Sequence, residues 1–111
     1  MRALVVAIAV MVSGAAGACS PTDIKLTQYN WKKEGNFMRV VGELINNCPT
    51  PTKILLQAVF RMKSGEIVFV HEFAPASDRE IAPGQPYAFG DFFTARDIQP
   101  QLMDMSAIAV R

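Results

Sequence analysis

His71 is the single imidazole of the 111-residue sequence, Cys19 and Cys48 are its two thiols, and Met103 and Met105 are its most closely spaced thioethers. These residues carry most of the chemistry the chain can offer. Hydrolysis needs a nucleophile, a base and a group that orients the base. His71 stands between Val70 and Glu72 in an apolar run, as a half-buried sheet residue paired to a neighbour would. Ser64 and Ser77 fall in turn-like stretches, where serine is expected anyway. The carboxylates are scattered singly, with no two at a spacing that suggests shared acid–base work. We therefore expect no enzyme and no catalytic residue. Soft Cu(I) favours sulfur, so Met103, Met105 and His71 define an alternative function, a copper carrier. Thioethers are also ordinary core fillers, and Met38 and Met62 match inward positions of strands. No CxxC, HxxxH or acidic calcium loop occurs, so zinc and calcium sites and cofactors are not expected.

The compartment follows from the first residues. Arg2 is the only charge before Asp23, an apolar run follows it, and Ala16-Gly17-Ala18 precedes Cys19. This is the layout of a secretory signal peptide over residues 1–18. The run is shorter than the roughly 20 residues of a spanning helix. Residues 19–111 then form a single domain, periplasmic or secreted. Without Arg2, basic and acidic residues are equal in number, so nothing draws the chain toward a phosphate backbone and nucleic acid is excluded as a partner.

In an exported chain an even cysteine count reads first as a disulfide. Residues 23–30 and 37–46 look like consecutive strands joined by Lys32-Lys33-Glu34-Gly35. A four-residue loop sets Trp31 opposite Asn36 and, continued outward, Cys19 opposite Cys48. That register puts Ile24 and Leu26 on the face of Val41 and Glu43; a bulge or a shorter loop ending at Gly35 would restore the parity. The alternative is a lipid on Cys19, since Ala16-Gly17-Ala18-Cys19 resembles a bacterial lipobox. Membrane attachment is expected only in that case.

The rest of the chain alternates with period two, and no apolar helix stripe of useful length occurs. Met38, Val40, Gly42 and Leu44 share one face of the second strand. Ile54, Leu56, Ala58, Phe60 and Met62 share one face of the third, over residues 53–63. Ser64-Gly65 turns the chain into a fourth strand at 66–73, where Ile67, Phe69, His71 and Phe73 alternate with Val68, Val70 and Glu72. Further strands are expected at 79–82, 87–93 and 107–111. Residues 94–105 offer the only room for a helical turn. Half the residues are hydrophobic, so one core is within reach. Seven short strands with regular turns give an all-β fold, an immunoglobulin- or fibronectin-III-like antiparallel β-sandwich.

Gly42-Glu43-Leu44-Ile45-Asn46-Asn47, Phe60 and Gly65 across the next hairpin, and Ile81-Ala82-Pro83-Gly84 before an aromatic strand resemble the small exported bacterial sandwiches of the FxLYD type. The similarity covers about residues 23–92, and the F-x-L-Y-D string itself is absent. The resemblance implies a fold and an exported location, and carries no catalytic residue.

The expected function is a non-catalytic binding or structural domain of the bacterial envelope, a protein–protein interaction module whose partner is another envelope or secreted protein. Loops at one end of a sandwich are the usual binding surface. Residues 47–52, 74–78 and 94–105 are expected at one end, beside Cys19. Arg96, Asp97, Ile98, Gln101, Leu102 and Met103 form the expected partner-binding loop, with Ile98 and Leu102 as core plugs the alternative.

Overall fold

The computed structural model describes residues 19–111; the signal-peptide reading lies outside the described residues. Those residues form six strands: β1 (Ile24–Glu34), β2 (Phe37–Asn46), β3 (Ile54–Arg61), β4 (Ile67–Phe73), β5 (Pro86–Thr94) and β6 (Leu102–Val110). They build two antiparallel three-stranded sheets, ordered β1-β2-β5 and β4-β3-β6. The fold is all-β, and its core is what alternation predicts. Met38, Val40 and Leu44 of β2 and Leu56, Ala58 and Phe60 of β3 are fully buried. Phe60 is the aromatic centre, edge-on to Trp31 at 5.8 Å and tilted against Phe93 at 6.0 Å.

The first hairpin is tighter than expected. Glu34 pairs with Phe37, which leaves Gly35 and Asn36 as a two-residue loop, with Gly35 at φ +63°. Strand-compatible two-residue turns require positive φ, which glycine adopts without a Cβ clash. The parity conflict is resolved by a bulge at Thr27. Beyond it Leu26 faces Leu44 and Ile24 faces Asn46, so the apolar start of β1 joins the core. Thr27 Oγ1 donates to the Glu43 carbonyl at 3.1 Å, which pins the extra residue.

Cys19 and Cys48 form a disulfide, Cα–Cα 5.4 Å. The ladder does not run out to them; it ends at Ile24–Asn46. A 3₁₀ turn over Pro21–Asp23 brings Cys19 back instead. Ser20 and Asp23 cap it reciprocally: the Ser20 N–H donates to Asp23 Oδ2 at 2.9 Å, and the Thr22 N–H donates to Ser20 Oγ at 3.3 Å.

Two expected elements differ. The strand expected at 79–82 is reduced to a single bridge, Ile81 to Thr52, because Pro83 has no N–H with which to extend it. The last strand begins at Leu102, not at residue 107. Met103, Met105 and Ala107 alternate inward against Leu102, Asp104 and Ser106, a period-two pattern that leaves no helical turn. The missing crossing also changes which loops share an end. With no full strand between β4 and β5, residues 47–53 and 74–85 lie beside the disulfide. Residues 95–101 lie at the opposite end, where the Ala95 N–H donates to the Asn36 carbonyl at 2.8 Å and the Gln101 N–H to that of Arg61 at 2.9 Å.

Candidate functional site

The six residues of the expected binding loop do not converge. Met103 is buried against Phe60, while Leu102 is on strand β6, exposed on the outer face of its sheet. Ile98 is half-buried and packs on the core, and Pro100 beside it is buried. Gln101 Oε1 accepts the Lys63 N–H at 2.8 Å, and the Arg96 carbonyl accepts Lys33 Nζ at 3.5 Å. Arg96, Asp97 and Gln101 are exposed in the loop, Gln101 with its amide oxygen already engaged by Lys63. The segment therefore closes one end of the sandwich more than it presents a surface.

The copper alternative requires Met103, Met105 and His71 to meet. Met103 and Met105 both point into the core, beside Phe60 and Ala58. His71 lies across Ala58 from Met105, two strand spacings of about 4.8 Å each away. Its ring is already engaged: Nε2 lies 2.6 Å from Asp91 Oδ2, and Phe93 stacks on it at 3.8 Å between centroids. His71 is on β4 and Asp91 on β5, so this hydrogen bond joins the open edges of the two sheets. The half-buried, paired histidine expected from its apolar strand is present, with its partner on the other sheet.

Cys19, Cys48 and Asp23 place ligand-type atoms within 4.8 Å of one another. Both sulfurs are consumed by the bridge and Asp23 by the cap of the 3₁₀ turn, so the cluster is structural. The bridge also occupies the Cys19 sulfur that a lipid thioether would use. A hollow of about 260 Å³ lies beside Lys53, Ser77, Asp78 and Arg111.

Exposed apolar side chains stand on the outer faces of both sheets, with Ile67, Val70 and Leu102 on β4-β3-β6. The outer face of β1-β2-β5 adds a stacked aromatic pair. Phe37 and Phe92 are 44% and 50% exposed, and Val41 is 42% exposed. Adjacent strands bring the two rings together, stacked at 5.0 Å with planes 12° apart. The Arg39 guanidinium lies 5.2 Å from the Phe92 centroid on the same face. β5 contributes Ala88 and Gly90 to that face, and such small residues leave Val41 standing between two shallow hollows. Arg39 also approaches Glu34 at 3.7 Å, and Glu34 approaches Lys32 at 3.9 Å, giving the patch a charged rim. Alternation of Phe37, Arg39 and Val41 along the second strand already carried this signal. The inward set of the same strand, Met38, Val40 and Leu44, predicts the core and says nothing of this outer row. Comparison with protein-family models, curated proteins and solved structures finds no match to this chain.

Proposed function

We propose that the chain is an exported, non-catalytic immunoglobulin- or fibronectin-III-like domain that captures another envelope or secreted protein on the outer face of β1-β2-β5. Immunoglobulin sheets set strands A, B and E against C and F, with C′ beside C in some members. The order β1-β2-β5 against β4-β3-β6 corresponds to A-B-E against C′-C-F. The resemblance to FxLYD-type domains agrees with this assignment. A disulfide is compatible with an oxidising, exported compartment.

The observation that carries the proposal is the exposed Phe37–Phe92–Arg39 stack. Aromatic residues and arginine are enriched at the centres of protein interfaces. A contiguous apolar patch with a polar rim is the usual mark of a docking surface. A monomer gains nothing from holding two phenylalanine rings in water, whereas burying them against a partner gains on the order of 2 kcal/mol each.

Photo-crosslinking in the producing cell tests this. A crosslinking side chain at Phe37 should give a discrete heteromeric product, abolished by Arg39→Glu. The same side chain at Glu72, on the outer face of the other sheet, should give none. No product from position 37, or the same product from both positions, would discard the proposal.

A further inference from the structure

The two sheets have four edge strands, β1, β5, β4 and β6. Three of them carry an extra residue that breaks the ladder: Thr27 in β1, Val68 in β4 and Ile108 in β6. Bulges of this kind twist an edge away from a further strand, and charged side chains on an edge act in the same direction. β1 adds Lys25, Lys32 and Lys33, β4 adds the exposed Glu72, and β6 adds the exposed Asp104. β5 differs on both counts. It pairs with β2 without interruption from Pro86 to Thr94. It contains no Lys or Arg, and its one carboxylate, Asp91, is turned between the sheets and held by His71. Ala88, Gly90 and Phe92 are exposed along it. An edge of this length with no bulge and no exposed charge is a template for strand addition.

We infer that the β5 edge pairs antiparallel with the β5 edge of a second copy of this chain, about a two-fold axis at Gly90. Gly90 is the midpoint of the strand. An isologous interface must be complementary to itself, and this sequence is. Antiparallel pairing about Gly90 sets Ala88 opposite Phe92 of the second copy, and Phe92 opposite its Ala88. Each large ring meets a methyl group, and the two glycines meet on the axis. In the inner row Asp91 faces Phe89 of the second copy, so no two carboxylates oppose each other, a pairing that would be unfavourable. The product is a six-stranded sheet whose outer face carries two Phe37–Phe92 stacks. The inference uses the backbone edge and does not rest on the protein-capture reading.

Sedimentation velocity and light scattering on the purified chain at about 0.1 mM, well above a micromolar Kd, should give the mass of a dimer. Ala88→Lys should return it to a monomer with unchanged circular dichroism, while Gln28→Lys on β1 should leave the dimer intact. A Cβ at residue 90 meets its nearest neighbours, the Val40 carbonyl and Val41 Cγ1, at 3.6 Å, so Gly90→Cys is accommodated. Under mild oxidation it should form a covalent dimer, and Thr27→Cys should not. A monomeric wild type at that concentration, a dimer that survives Ala88→Lys, or a dimeric Gly90→Cys protein that fails to cross-link would each overturn the inference.

Discussion

Asn46 Nδ2 donates to the Ile81 carbonyl at 2.8 Å, and the residue is fully buried. Asn46 Oδ1 accepts the Cys48 N–H at 2.9 Å, and the Asn46 carbonyl accepts the Gly84 N–H at 2.9 Å. One side chain and its own carbonyl thus tie together the β2–β3 loop, the disulfide and the long connection from β4 to β5. This hub replaces the strand that residues 79–82 do not form. Asn46→Ala would leave the buried Cys48 N–H unpaired, costing about 1–3 kcal/mol, while the Ile81 carbonyl keeps the Thr52 N–H at 3.1 Å. We expect a loss of roughly 2 kcal/mol in urea unfolding. Asn46→Asp should not rescue it, because a buried carboxylate oxygen would then face the Ile81 and Thr50 carbonyls with no donor between them.

Gly42 is needed where it stands because Phe89 crosses it. A Cβ there would lie 2.7 Å from Phe89 Cζ and 2.8 Å from the Gln28 carbonyl oxygen. The second contact is backbone and cannot rotate away. Gly42→Ala should destabilise the domain by about 1–3 kcal/mol, the usual range for overpacking. Adding Phe89→Leu should recover only part of it in the same unfolding assay, since the Gln28 contact remains.

These residues also mark how far the sequence could be read. Inward faces were legible wherever burial repeats every second residue, as from Ile54 to Phe60, because a strand buried on one face imposes that period. The disulfide was legible from compartment and count, although its geometry depends on a capped turn that no ladder extrapolation contains. Bulges were not legible in detail. Val68 shifts the parity of β4, so Ile67, expected beside Phe69, is exposed on the outer face. A bulge is fixed by long-range pairing, and the residues at Thr27, Val68 and Ile108 share no local signature. Asn46 was visible only as the end of the second strand, since its role depends on Ile81, 35 residues away. The Phe37–Phe92 patch arises from the pairing of β2 with β5, which the sequence alone does not specify.

The His71–Asp91 hydrogen bond should be worth about 1.5–3 kcal/mol, as for bonds to a charged group. His71→Phe keeps the stack on Phe93 and removes the bond, leaving a half-buried carboxylate without its partner. A double-mutant cycle with Asp91→Ala should therefore show His71→Phe costing less in the Asp91→Ala background than in the wild type. Equal costs in both backgrounds would mean that the contact contributes nothing and that His71 is held by its aromatic neighbours.

Cys19 and Cys48 are 29 positions apart, and closing a loop of that length stabilises a chain by roughly 3–4 kcal/mol in the entropy model. Cys19→Ser with Cys48→Ala should lower the urea midpoint accordingly. Asn46 and the capping pair Ser20–Asp23 surround the bridge, so hydrogen exchange should rise first in residues 19–23 and 47–53. A uniform rise across both sheets would place the bridge at the centre of the cooperative unit instead of at its end.

Ile98 and Leu102 were candidates for the same task, and the structure gives them opposite environments. Ile98 packs against the core at the end closed by residues 95–101, whereas Leu102 is 46% exposed on the outer face of β6. Ile98→Ser should cost on the order of 1–2 kcal/mol through lost apolar burial. Leu102→Ser, away from any buried contact, should stay within about 0.5 kcal/mol of the wild type. If both substitutions left stability unchanged, the loop would be a free surface after all. Ile98 would then regain its place beside Arg96 and Asp97 as a residue available to a partner.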